Sequence, residues 1–183
     1  MKSMVGKKLG MTQIFQNDKV IPVTVIEAGP LSVLRKLTED KDGYEALQVG
    51  FGKKKKKYAK VKEIRGVEAE IGDQITVSIF KEGDTVKVSG VSKGKGFQGG
   101  VKRHGFSGRN ATHGVKHEER TIGSTGMRFP QRVLKGRRMP GRMGAENVTT
   151  RNLRVVHVDA ENNILSVKGA VPGRPGTLLF IQG

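Results

Sequence analysis

The chain of 183 residues contains no cysteine and no tryptophan. Without cysteine, disulfides, thiolate metal sites and cysteine nucleophiles are excluded. Only seven Phe and two Tyr are present and hydrophobic residues make up 35%, so the packed core is modest. No apolar run approaches the roughly 20 residues that a transmembrane helix needs, and the first residues lack the apolar region of a signal peptide. We therefore expect a soluble cytosolic protein.

Acidic residues are half as numerous as basic ones, 17 against 34, which gives a net charge of +17. The excess is concentrated in two stretches. Residues 92–143 hold 13 Lys/Arg against two Glu, and residues 53–65 hold eight against one, whereas the remaining residues carry 13 basic and 14 acidic side chains. A near-neutral body with two cationic segments is typical of a protein that binds a polyanion.

The segment 92–143 also has little with which to form a core. Its 52 residues include 11 Gly and only eight Val, Ile, Leu or Phe. Such a composition cannot offset an ordering entropy of roughly 1–2 kcal/mol per residue. We expect the segment to be disordered alone and to take shape on a partner. Its glycines argue against an amphipathic helix that lies on a membrane.

The rest of the chain is patterned as short strands separated by turns. The predicted strands are 20–26, 31–37, 44–49, 75–79, 85–91, 153–158, 164–167 and 178–181. Pro22 within the first of these indicates an edge position or a bulge. Many short strands at close spacing predict a mainly β fold, a small antiparallel barrel or sandwich. The body is expected to comprise 1–91 and 145–183, with 92–144 inserted between strands and one weak helix near 97–103.

Residues 94–99 match the G-x-G-x-x-G pattern of nucleotide-binding loops, and Glu119 lies about 20 residues further on. No βαβ pattern follows, and the residues after Gly100 cannot form the long helix that holds a pyrophosphate. A nucleotide-dependent enzyme is therefore a weak alternative. No paired carboxylates or nucleophilic triad stand out either, so we expect no enzymatic activity, cofactor or small-molecule substrate.

His113 and His117 have a spacing that would suit zinc on a helix. Gly114 and the basic surroundings disfavour a metal site, and contact with a base or a phosphate fits these histidines better. No metal is expected.

The two cationic stretches suit different contacts. Lys53 to Lys57 form a run of five ammonium groups, which is either a solvated loop or a contact to phosphates that does not depend on sequence. Arginines in 135–142 can bind phosphate bidentately and stack on bases. Phe97, Phe106 and Phe129 are candidate base-stacking residues, although Phe97 and Phe106 could equally form a small satellite cluster. Interleaved Arg, Gly, His and Phe favour structured RNA over duplex DNA.

Several motifs resemble the bacterial-type L3 family of large-subunit ribosomal proteins. They lie at 6–12, 21–26, 43–44, 92–99, 102–103, 111–114, 123–124, 135–144 and 167–173. The resemblance implies a six-stranded barrel similar to the second domain of translation elongation factors. It also implies an internal extension that runs through ribosomal RNA toward the peptidyl transferase centre, with 124–132 at its tip. Members bind large-subunit rRNA near its 3′ end, help nucleate subunit assembly and neighbour other proteins of the subunit.

The charges, aromatics and resemblance together select a set of candidate rRNA-binding residues. They are Lys7, Lys8, Lys53, Lys54, Lys55, Lys56, Lys57, Lys93, Lys95, Phe97, Lys102, Arg103, His104, Arg109, His113, Lys116, His117, Arg120, Arg128, Phe129, Arg132, Lys135, Arg137, Arg138 and Arg142.

Two features depart from the family pattern. The region 58–67 is shorter than in typical bacterial members, and Gln131 does not match the tip glutamine that many members methylate, so the resemblance gives no basis for predicting methylation at the tip. A free-standing protein that compacts DNA or RNA is the remaining alternative from another functional class.

Overall fold

The computed structural model describes residues 2–16, 18–54 and 57–183, with Lys53 and Lys54 described by their backbone only. The chain divides into two compact units. One consists of Met1–Ser92 and Asn147–Gly183, and the other of Lys93–Glu146. We call the first the barrel unit and the second the insert.

The fold is mainly β, as the sequence predicts. The strands in chain order are β1 (Ser3–Gln16), β2 (Lys19–Glu27), β3 (Leu31–Leu37), β4 (Ala46–Lys54), β5 (Lys57–Ile64), β6 (Gln74–Ile75), β7 (Thr85–Val91), β8 (Phe97–Gln98), β9 (Gly141–Arg142), β10 (Asn147–Asp159), β11 (Ile164–Lys168) and β12 (Leu178–Gln182). The described helices are α1 (Glu39–Asp42), α2 (Gly100–His104) and a 3-10 turn at Val77–Ile79, all too short to cross a membrane.

Six strands of the barrel unit close into a barrel in the order β1-β12-β7-β10-β11-β2. Each neighbouring pair is antiparallel. Because successive side chains of a strand point to opposite faces, the alternating aliphatic residues line the interior. Met4, Val86, Val88, Leu165 and Ile181 are almost completely buried there. The strand number is the one that the family resemblance implies.

A second, four-stranded sheet has the order β5-β4-β3-β6 and belongs to the same unit. Its buried Leu31, Val49 and Phe51 join the barrel residues in one continuous core. The lysines in β5 hide its strand character from a hydrophobic pattern. Its Tyr58 ring covers Gly50, where an added Cβ would lie 2.5 Å from the ring.

The predicted strand 75–79 is wrong beyond Ile75. The chain instead turns in the 3-10 helix, and the amide of Phe80 donates to the carbonyl of Val77 over 3.0 Å. This turn buries Ile75, Val77 and Phe80 together, which strict alternation along an extended strand would not allow.

Pro22 lies where one neighbour of β2 ends. The ladder between β2 and β11 covers Val23 to Glu27, and the amide of Gly169 then donates to the carbonyl of Pro22 over 2.9 Å. No ladder donor is needed from Pro22 on that side, which agrees with the expected edge position.

Candidate nucleic-acid interface

The two ends of the insert run antiparallel to each other. The amide of Lys95 donates to the carbonyl of Met143, and the amide of Met143 donates to the carbonyl of Gly96, each over 2.9 Å. The short ladder of β8 and β9 continues this pairing with Phe97 opposite Arg142. Strands of two residues are too short to produce a sequence pattern, so this pairing was not predicted.

Helix α2 follows immediately and confirms the weak helix prediction near 97–103. It ends at Gly105, which has a φ of 72° and donates its amide to the carbonyl of Val101. A helix of five residues has no room for the phosphate site of a dinucleotide-binding fold. All ladders of the described strands are antiparallel, so the pattern at 94–99 lacks the βαβ unit it requires.

Arg103 and His104, both predicted to bind rRNA, contact the insert itself. Arg103 Nη1 donates to the carbonyl of Met139 over 2.8 Å, and His104 Nε2 lies 3.1 Å from the same oxygen. Gly141 permits this approach, since a Cβ there would lie 2.6 Å from Arg103 Nη1. These two side chains connect α2 to the returning segment, so their role in the structure is partly internal.

A small apolar cluster lies beside α2. Phe106 and Ile122 pack so closely against Gly100 that an added Cβ would lie 2.7 and 2.5 Å from them. The His104 and Phe106 rings are 6.0 Å apart. Phe106 therefore belongs to a small satellite cluster, which was the alternative to a base-stacking role. Phe97 does not, because 81% of it is exposed.

The cations of the insert are directed to solvent. Every Lys and Arg between 93 and 146 is exposed except Arg103, which is half-buried. Within the described part of the insert one ion pair is found, between Arg109 and Glu118. The candidates that remain exposed are Lys93, Lys95, Lys102, Arg109, His113, Lys116, His117, Arg120, Arg128, Arg132, Lys135, Arg137, Arg138 and Arg142.

The predicted tip, 124–132, carries exposed apolar side chains beside its cations. Phe129 is 67% exposed and Met127 is 84% exposed. The Arg128 guanidinium lies 5.8 Å from the centre of the Phe129 ring, and Arg137 donates to the carbonyl of Ser124. Met127 was not among the predicted site residues, although an unpaired apolar residue in a charged segment was a usable signal.

His113 and His117 are not brought onto a helix. Both are exposed in irregular backbone, and His113 has a φ of 57°. The helical i, i+4 geometry that would place two imidazoles on one zinc ion is therefore not formed. Across the described residues, no group of three or more His, Cys, Asp or Glu is arranged to hold a metal ion.

The lysine run extends from the end of β4 to the start of β5, which are paired strands. Lys53 and Lys54 end β4, and Lys57 begins β5 opposite Lys54. Lys55 and Lys56 lie outside the described residues. Exposed Lys60 and Lys62 continue the charge along β5 and were not in the predicted set, although they lie within the cationic stretch 53–65.

Close to β5, a polar cluster holds Arg65. Its guanidinium lies 4.8 Å from the centre of the Tyr44 ring. The Tyr44 hydroxyl donates to Glu63 over 2.9 Å. This hydrogen bond to a carboxylate raises the pKa of Tyr44.

Lys7 and Lys8 have different surroundings, and Lys8 must be withdrawn from the candidate interface. Its side chain is buried, and Nζ donates to the carbonyls of Val171 and Gly173 over 2.9 and 3.0 Å. A phosphate cannot reach an ammonium enclosed in this way. Lys7 is exposed, with its Nζ 3.9 Å from a carboxylate oxygen of Glu27.

Comparison with known proteins adds independent information. A family model described as Ribosomal protein L3 matches residues 48–166. The large ribosomal subunit protein uL3 of Halalkalibacterium halodurans is 50% identical over 202 residues, which cover 99% of this chain and 96% of that protein. The uL3 proteins of Desulfitobacterium hafniense and Thermosipho africanus are 48% and 46% identical, over 99% and 100% of this chain and 95% and 98% of their own lengths.

The alignment with the Desulfitobacterium hafniense protein spans 202 positions, against 183 residues here. That relative therefore has at least 19 residues without a counterpart in this chain (202 minus 183). That the shortening falls in 58–67 stays a prediction.

Proposed function

Because this chain belongs to the ribosomal protein L3 family, we propose that it is a structural constituent of the large ribosomal subunit and binds large-subunit rRNA through the insert. The observation that carries the proposal is the charge of Lys93–Glu146. It has 13 Lys/Arg against three Glu, a net +10, and all of these cations but Arg103 are exposed.

The physical basis is the neutralisation of crowded phosphates. A surface with this many unpaired cations replaces the counterions of RNA, and their release supplies affinity that falls with salt. Exposed Phe97 and Phe129 offer rings for unstacked bases, which folded RNA presents and duplex DNA does not. The pairing of β8 with β9 and the contacts of α2 hold the two ends of the insert together. The cations near 124–142 are therefore attached to an ordered part of the insert.

The finer assignment follows the family. The barrel unit, similar to the elongation-factor second domain, is the body, and the insert is the extension directed toward the peptidyl transferase centre. We place its contacts near the 3′ end of the large-subunit rRNA, where it helps to nucleate assembly beside neighbouring ribosomal proteins. Lys53 to Lys57 form a second contact to phosphates. The role is structural rather than enzymatic.

The test compares two triple variants of the full chain. Lys135→Gln, Arg138→Gln and Arg142→Gln remove three exposed charges from the insert. Arg151→Gln, Lys168→Gln and Arg174→Gln remove three exposed charges from the barrel unit. Filter binding to an RNA fragment from the 3′ end of the large-subunit rRNA is measured between 50 and 300 mM salt. An equally long fragment of small-subunit rRNA serves as the competitor.

The insert variant should bind about 10- to 100-fold more weakly, with a salt dependence about two to three units less steep, because each lost phosphate contact removes nearly one counterion. The barrel variant should bind almost as the parent does. Equal losses in both variants would contradict the assignment to the insert. Equal affinity for both rRNA fragments, or sedimentation of the protein away from large subunits, would contradict a specific ribosomal role.

A further inference from the structure

The barrel unit has a groove that the proposed RNA contact does not use. It lies where β3 and β5 end and β4 begins, and the segment 66–73 forms its other wall. Its volume is about 840 Å³. Leu37, Leu47 and Ile64 are buried beneath it, and half-buried Val67 lies in the opposite wall. The groove therefore combines an open concavity with an aliphatic base.

The charge of this groove is opposite to that of the protein. Its ionisable lining residues are Glu45, Glu68, Glu70 and Asp73 against a single Lys36, a net charge of −3. All four carboxylate residues are exposed. Among the ion pairs found between described residues, none involves these four side chains. On a chain with a net charge of +17, a concavity whose lining carries a net negative charge is a distinct surface.

Its carboxylates are also partly ordered. Asp73 Oδ2 accepts the amide of Glu70 over 2.9 Å, and the amide of Gly72 donates to the carbonyl of Val33 over 3.0 Å. These bonds hold the acidic wall against β3. The segment that forms this wall also lines the groove with Val67 and Ala69. Aliphatic and acidic groups thus face the groove from the same segment.

We propose that this groove binds a lysine- and arginine-rich segment of a second protein. Long basic side chains can lay their methylene stems on the aliphatic base while their charged ends reach the carboxylates. RNA is disfavoured because its phosphates would meet four like charges. The inference concerns a protein contact and does not depend on the RNA-binding role of the insert.

The experiment uses the full chain and a fluorescein-labelled 12-residue peptide of alternating Lys and Ala, with an alternating Glu and Ala peptide as the charge control. Anisotropy is measured at 50 and 300 mM salt. The groove variant carries Glu45→Gln, Glu68→Gln and Glu70→Gln. Its matched control carries Asp18→Asn, Glu82→Gln and Glu161→Gln, three exposed acidic residues of the barrel unit outside the groove lining.

The basic peptide should bind the parent and the control, lose at least about tenfold in affinity with the groove variant, and weaken with salt. Carbodiimide cross-linking should join its lysines to Glu45, Glu68, Glu70 or Asp73. Equal binding by the groove variant, equal losses in the control, or cross-links confined to carboxylates outside the groove lining would overturn the proposal. So would self-association of the chain that the groove variant abolishes, since the occupant would then be a second copy.

A separate arm distinguishes this proposal from the RNA-binding role. The groove variant should bind the 3′ rRNA fragment as tightly as the parent, because it alters no cation of the insert. A loss of RNA affinity in the groove variant would show that the groove binds RNA and would overturn the protein-partner assignment. Weak RNA binding by parent and variant alike would contradict the proposed function while the peptide result stood.

Discussion

Lys7 and Lys8 are neighbours in β1, yet their ammonium groups have opposite roles. Lys7 faces solvent beside Glu27, whereas Lys8 is buried and donates to two carbonyls of the loop before β12. That loop follows β11, so Lys8 connects segments more than 160 residues apart in sequence. A charge in this position contributes to the fold rather than to RNA binding.

Replacing Lys8 should therefore affect stability. Lys8→Met keeps an unbranched side chain, one heavy atom shorter, but leaves the carbonyls of Val171 and Gly173 without this donor. We expect a loss of about 1–3 kcal/mol in the free energy of unfolding, measured by urea denaturation. Lys7→Met is the matched control and should change stability by less than about 0.5 kcal/mol. Equal effects of the two substitutions would contradict the structural role of Lys8.

At the scale of elements, the insert is organised by contacts that involve glycine. Gly100 admits Phe106 and Ile122, and Gly141 admits the Arg103 guanidinium. Gly144 lies against the carbonyl of Lys93 with a φ of 74°, so the two ends of the insert approach more closely than larger residues would allow. Glycine here is a packing requirement, whereas the composition alone indicated only flexibility.

Gly141→Ala should loosen this organisation. The added methyl group would displace Arg103 from the carbonyl of Met139, so amide hydrogen exchange of Lys95 and Arg103 should accelerate at least about tenfold. The free energy of unfolding of the barrel unit should stay unchanged. Gly99→Ala is the control, since its Cβ would meet no atom within 4 Å and its φ is −70°. Unchanged exchange in Gly141→Ala would contradict the role of the Arg103 contact in organising the insert.

At the scale of the whole molecule, the insert begins and ends at one point of the barrel. Val91 of β7 and Asn147 of β10 are direct partners in the ladder. Two paired antiparallel strands can be joined by a two-residue turn. The insert, with its cations, can therefore be removed by joining β7 directly to β10.

Replacing residues 92–146 with Asn-Gly should leave a folded barrel unit. Its net charge falls from +17 to +7, because the removed residues hold 13 basic and three acidic side chains. We expect one cooperative thermal transition and a loss of at least about 100-fold in affinity for the 3′ rRNA fragment at moderate salt. An unfolded product would contradict the independence of the barrel. Retained affinity would move the RNA site to the barrel unit, with the lysine run as its first candidate.

The sequence by itself determined the mainly β character, most strand positions, the place of the insert and the concentration of charge. These properties follow from local alternation, turn residues and composition, which are readable without contacts. The pattern misled at 75–79, where the chain turns and buries Ile75, Val77 and the following Phe80. It also missed β1, and it missed β5, whose lysines interrupt the alternation.

Only the tertiary structure decided which residues of the same type are buried or paired and which remain exposed. Lys8 is enclosed and Lys7 is not, Phe106 packs while Phe97 is exposed, and Arg103 binds a carbonyl of its own chain. The acidic groove likewise brings Glu45 together with Glu68 and Glu70. Burial and pairing depend on neighbours in space, often distant in sequence, so no local pattern can specify them.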